Sequence, residues 1–471
     1  MILARLLACA PQQTWDSTYD PTPDDDTGDV VVLDCSGDWI TEPPELTTGD
    51  GAAPVLRLRT GLDASTRVTY GVAGGETYET AWSETGTEHE AFLLGVPLGA
   101  DFSWRVELAE VNDCTAEGSA TAGTVPSGVP ELVQSEADED AIDSSFLVAP
   151  IIGGESGRSG WVAILDPAGE LVFAQPLVID GVDAPTFRAT PALDGDGLWV
   201  LEQALDADSP GYLHRLRLDG SWAESITVTG LHTDFVEIEE GRFAGLTWEL
   251  RDIDGKTVLG DRVLVVEADG SVSTVWNAFD NIEFDPNGDW QQGFYAADPQ
   301  AWDWTHVNGI GADPGGGVVY ITMAAYSAVA RIDLASSSQS WIIGDGIGDF
   351  DVIAGPDPAT SFPHSVQSLG DDKLVVFNRG NLMADPDTCS WGAELKVDAE
   401  TREIATDWTI EADDCLLVAF LGQARLLEGG TVELDWSSSG RVEEYETDGT
   451  LLRRLDLSIG SAFGFTTRLE R

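Results

Sequence analysis

Positive charge is scarce in this 471-residue chain: 24 Lys and Arg stand against 83 Asp and Glu, a formal net charge of −59. Lys occurs only at Lys256, Lys373 and Lys396, so nearly all positive charge is Arg. Neutralising a nucleic-acid backbone takes a basic stripe, and the absence of any basic cluster excludes a general nucleic-acid binder. An anionic membrane surface repels such a chain for the same reason. No segment is apolar enough to span a bilayer. The five Cys show no C-x-x-C or other metal-ligand spacing. No EF-hand loop accompanies the acidity, which therefore reads as a solvated, salt-tolerant secreted surface rather than a calcium-laden one.

What is present argues for packed β-structure. The hydrophobic fraction is 42%, with 16 Trp and 16 Phe, enough to exclude disorder throughout. Gly at 51 and Pro at 22 supply many tight turns, which favours all-β over helices. Residues 1–9 end in Leu6-Leu7-Ala8-Cys9, a partial signal sequence that looks like a bacterial lipobox, with Cys9 as the lipid carrier. The acidic, Pro- and Asp-rich residues 10–29 read as a flexible tether. The other cysteines fall into two regional pairs, so disulfides Cys35–Cys114 and Cys389–Cys415 are expected in an exported protein.

Residues 30–127 alternate apolar and polar in short runs, such as Val55-Leu56-Arg57-Leu58 and Phe102-Ser103-Trp104-Arg105-Val106. They predict a small antiparallel β-sandwich of Ig or fibronectin-III-like type. From residue 140 to 471 a unit recurs: a strand, a turn led by Asp, and a second strand. The leading residues are Asp166, Asp219, Asp269, Asp333, Asp398 and Asp448, spaced 50 to 65 apart. Six copies predict a six-bladed β-propeller. A second element precedes the hairpins and reads as the innermost strand: 188–193, 233–238, 306–310, 364–369 and 422–427. The run 463–469 has no blade of its own and is expected to complete the first.

Three of the five His, namely His232, His306 and His364, stand at or beside the start of an innermost strand. Chance seldom puts three scarce residues at one register. Three imidazoles suit a Zn²⁺ site, an oxyanion site, or a nucleophile with an acid/base. Asn308, on the same strand face as His306, offers an amide donor, and Arg188, at the equivalent place in another unit, offers a forked cation. Donors and a fixed positive charge favour a sulfate- or phosphate-like group over Zn²⁺, so no metal and no cofactor is expected.

The stretch Asp303-Trp304-Thr305-His306-Val307-Asn308 is similar to the D-W-x-H-x-N motif of bacterial arylsulfate sulfotransferases. His232-Thr233-Asp234 resembles their H-H-[DE], and Phe362 to Gln367, followed by Leu374 to Asn378, also matches. The resemblance implies a periplasmic six-bladed propeller behind a small sandwich. It also implies transfer of a sulfuryl group from a phenolic sulfate to a phenol, without a nucleotide-sulfate donor and through a sulfated histidine. On it, His364 is the nucleophile. His306, Asn308 and His232 hold sulfuryl oxygens or serve the phenolic oxygen.

The chain departs from that pattern twice. Ala324 stands where the family carries an arginine, and Thr233, rather than His232, keeps the channel register of H-H-[DE]. Arg379 and Arg188 are candidate replacements for the cation, and Thr233 a further substrate contact. A surface scaffold or ligand-binding lipoprotein that has lost transfer is the alternative these departures motivate, and a metal-dependent hydrolase a weaker one.

Overall fold

The computed structural model describes residues 39–470 except 110, 139–142, 154–158, 180, 181, 184, 185, 289, 345, 346, 349, 381–387 and 459. The expectations for Cys9, residues 10–29 and the Cys35–Cys114 bridge lie outside the described residues and side chains. Among the described residues the fold is all-β, with one short helix, Ala278–Asn281, and single turns of 3-10 helix. Among the described residues no helix is long and apolar enough to cross a membrane.

The chain divides into two compact units, Met1–Thr124 and Val125–Arg471. The first holds a three-stranded sheet and a four-stranded sheet. Asp101–Leu108 shows how the sequence builds it: Phe102, Trp104, Val106 and Leu108 are buried while the residues between them face outward. A strand with one face in a core requires that period of two.

Among the described residues the second unit is a succession of six mainly antiparallel sheets of four or more strands, with one further two-stranded pair, Val178–Ile179 and Val182–Asp183. Each of the six contains one of the Asp-led hairpins, and the leading carboxylate caps its own turn. Asp166 accepts from Glu170 N at 2.8 Å, Asp219 from Ser221 N at 2.9 Å, and Asp269 from Ser271 N at 2.9 Å. Asp333, Asp398 and Asp448 do the same for Ser336, Glu400 and Thr450. A short carboxylate that bonds backbone two to four residues on favours the turn over a continued strand, which explains the repeat chemically.

The first strands of the second to sixth sheets are Ala189–Pro191, Leu231–Glu239, Val307–Ala312, Pro363–Gly370 and Gln423–Leu426. Neighbouring sheets are tied to one another by side chains on or beside these strands. Leu193 N donates to Glu237, Ile310 N to Asp234, Thr322 Oγ1 to His364 O, and Ala424 N to Ser365 Oγ. In the first sheet the C-terminal segments Ala462–Phe463 and Thr467–Leu469 pair with Phe146–Gly153. Leu132–Ala137, ahead of residue 140, pairs with Leu451–Leu457 at the outer edge of the sixth sheet. Cys389 and Cys415 are joined by a disulfide, as expected.

Candidate functional site: a histidine cluster on the inner strands

Four inner strands begin with the same backbone kink. Thr233, His306, Phe362 and Leu421 have φ of 54°, 51°, 47° and 59°, a left-handed conformation that non-glycine residues seldom adopt. A bulge follows. Asn308 is the extra residue between the Val307–Met323 and Gly309–Thr322 pairs, and His364 the extra residue between Pro363–Asn378 and Ser365–Phe377. In the third sheet Thr233 and Asp234 are inserted between the His232 and Phe235 pairs. In the first sheet residues 464–466 face only 149 and 150, which puts Phe465 in the same irregularity. Bulges re-aim side chains out of the regular pleat, so Asp234, Asn308, His364 and Phe465 come from equivalent places.

His364 is buried, its ring 5.4 Å from that of Phe465. Burial, then the charges of Arg379 and His306, hold its pKa well below the usual histidine value. It is a neutral imidazole near pH 7. Its Nδ1 has no hydrogen-bond partner among the described residues. His306 is opposite in character. Burial opposes its charge, but the Asp303 carboxylate bonded to Nδ1, by charge and hydrogen bond, outweighs burial and Arg379, with Asp261 adding to it, and raises its pKa. Its side chain is 13% exposed, and the Phe294 ring packs against it at 4.2 Å.

Arg379 supplies the fixed charge that both histidines feel, and burial lowers its own pKa. Its place in the fold parallels that of Ala324. Ala324 directly follows the second strand of the fourth sheet and donates from N to His306 O at 3.1 Å. Arg379 directly follows the second strand of the fifth sheet and donates from N to Phe362 O at 3.2 Å. The two are register equivalents, so the cation absent from one sheet stands in the next.

The other candidates are held differently. His232 stacks on Trp248 at 4.7 Å, with Nε2 3.0 Å from Asp261 Oδ1 and Nδ1 2.9 Å from Thr233 Oγ1. Asp261 also accepts from Thr305 Oγ1 and Val307 N, so it ties His232 to the strand that carries Asn308. The Thr233 hydroxyl is thus turned onto His232. Arg188 lies 3.5 Å from Asp234 and 5.8 Å over the Phe465 ring. Burial pushes the Asp234 carboxyl up to about 6, against the pull of Arg188 and two backbone donors. His214, between Glu202 and Ser225, and His89 of the first unit, beside Thr60 and Ser83, are satisfied polar groups.

Asn308 Nδ2, Asn378 Nδ2 and Arg379 Nε are buried donors without a protein acceptor among the described residues. Unpartnered buried donors call for a partner; these three stand on or next to strands of the sheets that carry His306 and His364, where an oxyanion would suit them. Among the described residues no group of three His, Cys, Asp or Glu is arranged to hold a metal ion. A surface hollow on the first unit, between Arg57, Arg59, Glu88 and Glu90, is lined by charges already paired with one another. Sequence reasoning quoted Asp303 and Asn378 as motif residues without giving them a role, and gave none to Asp261, Phe294 or Phe465. Asp303 had a signal, a carboxylate three residues before a candidate His. Phe465 had none, because only strand pairing brings it here.

A sequence-family profile described as Arylsulfotransferase (ASST) matches residues 162–412. No curated protein matches the chain. Similar solved structures include the Myceliophteria thermophila Cps50 (Swd1) β-propeller domain, 10% identical over 70% of this chain and 89% of that one, TM-score 0.37. A putative 6-phosphogluconolactonase from Bacteroides fragilis is 12% identical over 70% and 99%, TM-score 0.38. The Pseudomonas aeruginosa periplasmic gluconolactonase PpgL is 14% identical over 69% and 99%, TM-score 0.37. Likenesses this distant carry no weight for chemistry. The profile match spans over half of the chain and includes His232, His306, Ala324, His364 and Arg379, and on it the chain belongs to the arylsulfotransferase (ASST) family.

Proposed function

We propose that this protein transfers a sulfuryl group from a phenolic sulfate to a phenolic acceptor through a sulfated His364, without a nucleotide-sulfate donor. The observation that carries the reading is the divergence of two histidines that act on each other electrostatically: burial and Arg379 push His364 toward its neutral form, while Asp303, bonded to Nδ1, pushes His306 toward its charged form. Titratable groups pushed apart by their surroundings mark acid and nucleophile. A neutral imidazole nitrogen of His364 attacks sulfur, the sulfur–oxygen bond to the aryl group breaks, and the phenolic oxygen takes its electron pair and the proton of His306. In the second half the acceptor phenol gives its proton to His306, its oxygen attacks sulfur, and the nitrogen–sulfur pair returns to His364. Arg379, Asn308 and Asn378 hold the sulfuryl oxygens. His232, with Asp261 behind it, and Arg188, through Phe465 and Asp234, border this group, and Thr233 supports His232.

In this reading the six sheets are the blades of a propeller with the cluster at the channel mouth, and the first unit is an Ig or fibronectin-III-like sandwich. The Cys389–Cys415 disulfide favours an oxidising compartment, consistent with export and a lipid on Cys9. Ala324 favours the rival reading, a binding protein without transfer. Incubation with 4-nitrophenyl sulfate decides between them. The expected result is an adduct of about 80 Da on His364, the mass of SO₃ on a nucleophilic imidazole, and loss of nitrophenol release in His364→Ala. A folded wild-type protein that forms no adduct with any phenolic donor sinks the transferase.

A further inference from the structure

The short strands Gln291–Gln292 and Trp302–Asp303 pair with each other, and Trp302–Asp303 pairs in parallel with Val258 and Leu259 of the third sheet. The hairpin they form carries two residues that touch His306 from different sides. Asp303 bonds its Nδ1. Phe294 packs its ring against the imidazole at 4.2 Å, with the planes inclined by 61°.

The surroundings of Phe294 set it apart from the other rings of this region. Phe279, Phe284, Trp290, Trp304 and Tyr326 pack on one another, with Trp304 Nε1 donating to the Tyr326 hydroxyl at 2.5 Å. Phe294 takes no part in that cluster and is 53% exposed. The residue after it is anchored: Tyr295 is 3% exposed, meets Trp248 edge-on at 5.5 Å, and accepts from Ala207 N at 2.6 Å. Trp248 in turn stacks on His232. The backbone of Phe294 is thus pinned by its neighbour, while its own ring stands half in solvent beside a charged histidine.

A phenolic sulfate has an anionic end and an aromatic end. The orphaned donors Asn308 Nδ2, Asn378 Nδ2 and Arg379 Nε suit the first, but they offer nothing to a ring. A ring beside the leaving oxygen must find an apolar wall next to His306. We propose that Phe294 is that wall, the aryl platform on which the ring of the sulfate donor, and then that of the phenol acceptor, stacks during transfer. This rests on the function proposed above and adds a residue that selects aryl over alkyl sulfates. Aromatic pairs prefer ring centres 4.5–7 Å apart in offset or edge-on arrangement, a range open to a ligand on the free side of Phe294.

Calorimetric titration in a His364→Ala background, which removes the proposed nucleophile, separates binding from transfer. In that background chains with wild-type Phe294, Phe294→Ala and Phe294→Trp are each titrated with 4-nitrophenyl sulfate and, separately, with inorganic sulfate. Phe294→Ala is expected to weaken the aryl sulfate about tenfold, the factor that a lost stacked ring and its burial produce. Phe294→Trp is expected to restore most of that affinity, and inorganic sulfate to bind all three alike. Equal affinity of the chains with wild-type Phe294 and Phe294→Ala for the aryl sulfate overturns the proposal. So does an equal loss for aryl and inorganic sulfate, which makes the ring a prop for His306 rather than a platform. The two proposals fail separately: wild-type protein that binds the aryl sulfate but forms no His364 adduct removes transfer and leaves the platform standing.

Discussion

At the scale of single residues, the contrast between His364 and His306 sets the expected pH dependence. His364 is depressed, so it loses its proton below the ordinary histidine value of about 6.5 and is a free nucleophile above that. His306 is raised, so it keeps its proton past that value. The transfer rate is therefore expected to rise on the acid side of pH 6.5, hold across it, and fall on the alkaline side, as an acid limb and a base limb bracket a plateau. The charge on His306 stabilises the fold fully at low pH, and this contribution is lost as pH rises through its raised pKa. Asp303 acts through His306 as a positioning residue. Asp303→Asn leaves burial and the repulsion of Arg379 unopposed by that carboxylate, so the alkaline limb is expected to move to lower pH. At pH 8 the rate falls by roughly 10²-fold. A pH–rate profile with an unmoved alkaline limb in Asp303→Asn contradicts this role.

At the scale of elements, the site depends on how closely two inner strands approach. A Cβ at Gly309 would lie 2.5 Å from His364 O, 3.0 Å from Ser365 Cα and 3.2 Å from Thr322 Oγ1. Gly309 immediately follows Asn308, so its missing side chain lets the strand carrying His306 and Asn308 lie against the strand carrying His364. Gly309→Ala forces backbone to move. The expected cost is about 1–3 kcal/mol of overpacking, seen as a lower denaturation midpoint, and roughly a 10²-fold loss of transfer from misplaced groups. Wild-type rates in Gly309→Ala would mean the strands tolerate separation. The kinks at His306 and Phe362 belong to the same scale: left-handed residues are costly, and they persist where surrounding structure holds them.

At the scale of the second unit, the C-terminal strand joins the sixth sheet to the first through buried charge. Arg468 Nε donates to Glu433 Oε2 at 2.7 Å, and its Nη2 also pairs with Glu444. Thr466 donates to Glu433 at 2.7 Å. All three charged side chains are at most 4% exposed. Removing Arg468 leaves Glu433 without its ion-pair partner in a dry interior, while Glu444 keeps Arg453 at 3.3 Å, so Arg468→Ala is expected to cost about 3–5 kcal/mol of stability. Equal denaturant midpoints for wild type and Arg468→Ala would show that strand pairing alone holds the ends.

Much of the fold was legible because its signals are local. Period-two alternation and an Asp that caps its own turn are decided within a few residues, so the sheets and the Asp-led hairpins could be placed from sequence. The three histidines at the starts of the inner strands stood out for a related reason: a repeat turns sequence register into spatial equivalence. What register could not decide is what each side chain touches. The charged form of His306 is favoured because Asp303 folds onto it, the neutral form of His364 because burial, Arg379 and His306 act on it together, and His232 is held between Trp248 and Asp261. The sparse positive charge of the chain likewise says nothing of where its arginines go. That the charge of Arg379 acts on both histidines, from the sheet next to the alanine at the family's arginine position, follows from inter-sheet packing. The sequence by itself determined the all-β class, the repeat and the scarce imidazoles. The tertiary structure decided their protonation, the cation beside them and the rings of Phe294 and Phe465, because pKa and contact depend on distances between strands far apart in the chain.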